Sequence, residues 1–178
     1  RHHDKTSLVG GSDRHTEDEG RLKVTYHHNL WEQTKERSPR VRFGQVHVYN
    51  NLYLIHQAGT FGYSIGVGHR SAVYSQHNAW QTPPELPASR IVGLYKGDAF
   101  EDHGSIVNGA VVDLLALLSA RQPTQNIAPA VGWRPAPGPE VDPAEQVPSR
   151  VRAGAGAGHD EGRHGDRDHR QRLAIGGA

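Results

Sequence analysis

Cysteine and methionine are both absent from these 178 residues, and each absence excludes something. Without thiols there is no disulfide framework and no thiolate metal site, although a chain of this length can bury a core without bridges, so the compartment stays open. Without methionine the sequence has no initiator residue, and its start, Arg1-His-His-Asp-Lys, has none of the regions of a signal peptide. The expectation is a fragment or a processed product. An excess of one charge is missing too: 20 Lys and Arg face 19 Asp and Glu, a net +1, which argues against a nucleic-acid partner and makes any anion binding local. No apolar run approaches the roughly 20 residues that cross a bilayer, so no membrane partner is expected.

What is present is a repeat. Val24, His28, Asn29, Leu30 and Trp31 recur as Val46, Asn50, Asn51, Leu52 and Tyr53, then more loosely as Val73, His77, Asn78, Ala79 and Trp80. Strand signals dominate residues 7–97: short β-branched and aromatic runs broken by Gly, Asn, Asp and Pro. Each repeat is expected to pair two strands, Val24–Asn29 with Arg40–Gly44, Val46–Asn51 with Tyr63–Gly68, and Val73–Asn78 with Arg90–Gly97. Leu8–Gly11 would end a preceding coil. Strand, turn and strand recurring with no helix long enough for a crossover fit an all-β parallel β-helix. Stacking then sets Asn29, Asn51 and Asn78 above one another as a structural ladder, because each amide both donates and accepts. Trp31, Tyr53 and Trp80 would stack beside them. An antiparallel sandwich with Asn-rich turns is the alternative.

Beyond the repeats, Val111, Val112, Leu114, Leu115, Leu117 and Leu118 suit a short amphipathic helix within 109–121. Residues 122–150 are Pro-rich and extended in character, a strap along the body. The domain is expected over 1–152, with residues 153–178 as a flexible Gly/Ala and then charged, His-rich tail.

The chemistry gathers at Arg37-Ser-Pro-Arg-Val-Arg42. Pro39 fixes its own φ and biases Ser38 away from helix, which gives Arg37 an extended approach to a strand over 40–44. Alternation along it would turn Val41 and Phe43 inward and Arg40 and Arg42 outward. Lys5, ahead of Leu8 on the previous coil, should lie one rung away, so three cations converge on one groove without an equal number of acids. Such a cluster suits a polymer of regularly spaced carboxylates. A solvated basic edge that guards a sheet against aggregation explains the spacing equally well.

The segments HDKTSLVGGSD at 3–13, KVTYHHNLW at 23–31, RSPRVRFGQVHVYNNLY at 37–53 and YSIGVG at 63–68 resemble the bacterial pectate lyases of polysaccharide lyase family one. The likeness runs from Arg1 to about Gly158, VNGAVVDLLA and VGWRPAP included. It implies a right-handed parallel β-helix, here truncated, in a secreted, extracellular and monomeric enzyme that cleaves polygalacturonate by Ca²⁺-dependent β-elimination. Arg37 matches the family's catalytic base; Lys5 and Arg42 match its substrate-carboxylate ligands. A neutral guanidine is scarce, costing roughly 6 kcal/mol at pH 8; neighbouring cations and desolvation should lower that cost, and an alkaline optimum is expected.

The metal site is where the chain departs from the pattern. The family's acidic calcium ligands lie upstream of the position matched by Lys5, before Arg1, so this chain's metal ligands are unknown. Asp4 and Asp13 do not make a six- to eight-oxygen site and read as turn formers, and Glu17, Asp18 and Glu19 as a solvated loop. Among the histidines, His27 and His28 would face opposite sides of a strand. His28 and His77 align across the repeat with Asn50 between them, as in a hydrogen-bonded interior ladder. His159, His164 and His169 could bind metal adventitiously. Two rivals remain: a pectin lyase, which acts on methylated polymer without calcium and has an aromatic-rich groove, unlike the sequence around Arg37; and a non-catalytic remnant that only binds acidic polysaccharide.

Overall fold

A computed structural model describes residues 1–136, 138 and 140–156. The strands are β1 (Leu8–Val9), β2 (Lys23–His27), β3 (Leu30–Glu32), β4 (Arg40–Val41), β5 (Gln45–Tyr49), β6 (Leu52–Leu54), β7 (Ile65–Val67), β8 (Ala72–Gln76), β9 (Ala79–Gln81), β10 (Val92–Leu94), β11 (Ala99–His103), β12 (Ile106–Val107) and β13 (Ala110–Val111). Two helices follow, α1 (Leu114–Arg121) and α2 (Val147–Gly154). The strands form three sheets, in the orders β1-β4-β7-β10, β11-β8-β5-β2 and β13-β12-β9-β6-β3. Every pairing within them is parallel except β12 with β13. The chain visits the first, second and third sheet in turn and begins again, which is a parallel β-helix, right-handed as parallel connections within one sheet almost always are.

Each coil therefore holds three strands, not the two expected, and the reason is one residue. The runs read as single strands break at His28, Asn50 and His77, whose φ values of 53°, 50° and 45° are left-handed; Gly104 follows at 67°. Asn and His tolerate this region better than most residues, and Gly adopts it freely. The chain bends there from the second sheet into the third. The next residue is Asn29, Asn51, Asn78 and finally Ser105, and the expected ladder forms: Asn29 Nδ2 donates to Asn51 Oδ1 at 2.9 Å and Asn51 Nδ2 to Asn78 Oδ1 at 3.1 Å. Asn51 and Asn78 are fully buried, so these bonds replace water that cannot reach them.

The left-handed column does not build the separate interior ladder expected of it. Only Asn50 is buried, and all three side chains turn to Asp142 of the C-terminal segment. Asp142 accepts through its carboxylate from His28 Nε2 at 3.0 Å and exchanges two 2.8 Å bonds with Asn50, while its carbonyl lies 2.9 Å from His77 Nδ1. Nor do His27 and His28 face opposite sides. The left-handed turn swings His28 back, and the two Nδ1 atoms lie 2.9 Å apart.

Inward-facing side chains repeat rung by rung, as Val9, Val41, Val67 and Leu94 do on the first sheet, and Val46, Val73 and Phe100 on the second. The aromatic stack is present, with Trp31 and Tyr53 centroids 6.4 Å apart and Tyr53 and Trp80 4.6 Å apart, the latter pair within 3° of parallel. Helix α1 starts later than its apolar pattern, because Asp113 caps it by accepting from Ala116 N at 2.8 Å. The strap gives way to helix over its last part: a one-turn 3-10 helix at Ala144–Gln146 runs into α2, whose Val147 and Val151 are buried against Leu52 and Leu54. α2 carries the described body to Gly154, past the edge placed at Arg152; the rest of the proposed tail, His159, His164 and His169 included, lies from 157 onward, outside the described residues.

Candidate active site

Residues 5–7 run beside residues 36–38 at the edge of the first sheet. Lys5 bridges in parallel to Glu36, and Ser7 N donates to the Arg37 carbonyl at 2.8 Å. Arg37 does not approach an extended strand as expected. Its φ is 66°, the peptide bond between Ser38 and Pro39 is cis, and β4 is confined to Arg40 and Val41. A side chain held left-handed outside glycine costs of order 1 kcal/mol and persists where its surroundings over-determine it. Here they do. Thr6 Oγ1 donates to the Glu36 or the Arg37 carbonyl, at 3.0 and 2.9 Å, and shares a 2.9 Å bond with Ser38 Oγ. Ser38 N donates to Ser64 O at 2.7 Å, and from within the coil Tyr53 OH donates to Ser38 O at 2.8 Å. Burial pushes the Tyr53 phenol far above its ordinary range, so it remains a donor at every working pH. The aromatic stack and the cleft are thus one construction.

The backbone brings Lys5, Arg37 and Arg42 to one sheet and neighbouring rungs, but the cluster is not short of acids. Arg37 Nε lies 3.3 Å from Glu36 Oε1, although the two are not aligned for a hydrogen bond and the buried Nε has no hydrogen-bond partner. Arg42 Nε donates to Asp13 Oδ1 at 2.7 Å and its Nη1 to Gly10 O at 3.2 Å. Gly10 permits that approach: it is left-handed at φ 80°, and a Cβ on it would fall 2.5 Å from the Arg42 carbonyl oxygen. Asp13 is therefore an ion-pair partner, not merely a turn former, and the hydrogen bond from Arg42 holds its carboxyl below the usual range. Lys5 is exposed.

Alternation along 40–44 fails after Val41. Phe43 is left-handed at φ 55° and still buried, while Arg42 lies in the turn with a side chain 15% exposed. Arg40 does face outward, and composition alone gave no sign of its partners: its guanidinium stacks 4.3 Å over the Tyr95 ring, beside Tyr63, whose centroid is 5.2 Å from that of Tyr95. Gly66 makes room, since a Cβ there would meet Tyr63 Cε2 at 2.7 Å and Arg40 Cγ at 3.2 Å. Arg40 Nε and Tyr63 OH are buried without hydrogen-bond partners. Burial pushes the Tyr95 phenol up, with Tyr63 adding and Arg40 opposing. These rings gather around Arg40, three residues beyond Arg37. Signals were available: the tyrosines flank the Gly-spaced strands YSIGVG and VGLY.

The donor set does not fit a resident calcium ion. Among the described residues no three His, Asp or Glu side chains gather where they could hold a metal. Asp13 is engaged by Arg42, Glu36 sits beside Arg37, and Glu17–Glu19 form part of an exposed turn where Glu19 pairs with Arg70.

Residues 1–132 match the family described as pectate lyase. The chain is 38% identical over 160 residues to a pectate lyase of Bacillus subtilis strain 168, covering 88% of this chain and 36% of that protein. To pectate lyase E of Dickeya chrysanthemi it is 42% identical over 122 residues, covering 63% and 30%. Among solved structures, a pectate lyase bound to a hexasaccharide superposes with a TM-score of 0.79 at 37% identity, over 88% of this chain and 38% of the other. The chain thus spans about a third of the length of these relatives. Over that third, sequence and coil geometry agree, and the chain belongs to the pectate lyase family.

Proposed function

We propose that this chain carries the base and two substrate-carboxylate ligands of a pectate lyase that cleaves polygalacturonate by β-elimination, acting outside the cell as a monomer. The observation that carries the reading is the conformation of Arg37, a strained left-handed arginine locked by Thr6, Ser7, Ser38 and the phenol of Tyr53. Locked strain of this kind collects at working sites. In the reaction, Lys5 and Arg42 bind sugar carboxylates and the guanidine of Arg37 takes the proton from C5. The C5–H electron pair forms the C4=C5 double bond, the C4–O bond breaks, and the leaving oxygen is protonated by solvent. Calcium is the family's general cofactor and would acidify the C5 proton by neutralising the sugar carboxylate. Among the described residues no side chains form a calcium cage.

A second reading, binding of acidic polysaccharide without cleavage, is favoured by one observation: Glu36 and Asp13 already match two of the three cations. One assay separates the two. With polygalacturonate and Ca²⁺, ultraviolet absorbance of an unsaturated uronide should rise, vanish with chelator and vanish in Arg37→Ala; binding alone yields no such product. The rate should climb from pH 6 towards pH 10, because a guanidine gains about tenfold in its neutral form with each pH unit. A flat profile would exclude arginine as the base.

A further inference from the structure

Residues 131–134 of the strap are fastened to the third and fourth rungs of the second sheet. On β11, Glu101 accepts from Val131 N at 3.0 Å and from both terminal nitrogens of Arg134, at 3.3 and 3.1 Å. On β8, the Arg134 guanidinium lies 5.1 Å from the Tyr74 ring centroid, and the Trp133 ring meets Tyr74 edge-on with centroids 6.2 Å apart. Beside the first two rungs, β2 and β5, the strap stands off, and a cavity of about 560 Å³ opens between strap and sheet. Small-molecule sites have volumes of roughly 300–1,000 Å³.

Strand register sets Lys23 beside Gln45 and Thr25 beside His47, four side chains on one face of the sheet. Among the described residues the side chains of Lys23, Thr25 and Gln45 make no hydrogen bond or ion pair. His47 Nε2 donates to Gln76 Oε1 at 2.9 Å, which leaves its Nδ1 as an acceptor. From the strap come the Trp133 indole, an apolar surface, and the exposed Arg134. The cavity is thus lined by two cations and no acid, and of the two only Lys23 is unmatched, since Glu101 answers Arg134.

We propose that this cavity is a second, non-catalytic binding site whose ligand is a uronic acid sugar. Sugar hydroxyls both donate and accept, as the side chains of Thr25 and Gln45 do; the carboxylate pairs with Lys23, and the C–H face of the ring packs on the Trp133 indole. An apolar ligand would displace water from three polar side chains without replacing its hydrogen bonds. A phosphate would bring about two charges to one unmatched cation. The cavity lies on the second sheet and shares no residue with the cleft beside the first, so the inference does not rest on the lyase reading.

The test is heteronuclear NMR of the full chain, following the Trp133 indole N–H signal, assigned by its loss in Trp133→Phe, as galacturonate is added. The free monosaccharide has no glycosidic bond to cleave, which separates the result from catalysis. The signal should shift saturably. Galactose, which lacks the carboxylate, should bind about three-fold more weakly, and Lys23→Gln should bring galacturonate down to the galactose level. Arg37→Ala should leave the shift unchanged. No shift at Trp133, or a shift that disappears in Arg37→Ala, overturns the site. Equal affinity for galactose or for succinate, or undiminished binding in Lys23→Gln, overturns the uronate assignment.

Discussion

The coil stack has two polar edges built with the same local device, and they end in opposite states. At the bend between the second and third sheets, a left-handed residue is followed by an Asn or Ser, buried from Asn51 onward, coil after coil, and the amide ladder finds partners throughout. At the cleft, a left-handed Arg37 is followed by a buried Ser38, once. There Arg37 Nε, Arg40 Nε and Tyr63 OH are buried without hydrogen-bond partners. Repetition closes the first edge upon itself, whereas at the second Thr6 and Ser64 answer Ser38 but leave those three side-chain atoms unanswered. An edge that satisfies itself can only support; one left unanswered can bind.

The largest effect should come from breaking the closed edge. Asn51→Ala removes an amide that donates to Tyr26, Tyr49 and Asn78 and accepts from Asn29, all from a site with no water access, and should cost about 3–5 kcal/mol. Denaturant unfolding measures it, and a loss under about 1 kcal/mol would make the ladder ornamental. The cleft should behave in the opposite sense. Arg37→Gly relieves a left-handed side chain and should raise stability by about 1 kcal/mol while abolishing lyase activity. A destabilised Arg37→Gly would mean the cleft is as self-sufficient as the bend.

A smaller, pH-dependent difference sharpens the contrast. Burial, with His28 adding, holds His27 below the ordinary imidazole range; burial, with His27 adding and Gln76 opposing, does the same for His47. The unfolded chain therefore binds more protons than the folded one below about pH 6.5, and stability contributed by these neutral rings is lost as pH falls through that window. The melting temperature should drop between about pH 7 and 5, and His47→Gln should flatten the drop.

The ladder was legible because its signal is periodic: Asn29, Asn51 and Asn78 repeat in one context, with aromatics two places on. The third strand of each coil was not, because His28, Asn50 and His77 read as strand residues until their left-handed backbone is seen. Lys5, Arg37 and Arg42 lie on the two successive coils that carry β1 and β4, but the counter-ions of the two arginines were missed for different reasons. Asp13 lies in an irregular loop whose path no periodicity fixes. Glu36 was adjacent in sequence all along, and only the left-handed turn at Arg37 lets neighbours meet side by side. Asp142 carries no local signal at all, since its partners Asn50 and His28 are 92 and 114 positions away.

Stacked parallel rungs with similar apolar faces can slide, and a slip of one residue turns every side chain to the wrong face. Asp142 touches three successive rungs at the same corner, at His28, Asn50 and His77. A single displaced rung would take its contact out of reach, so the returning chain serves as a gauge that closes only over a correctly indexed stack.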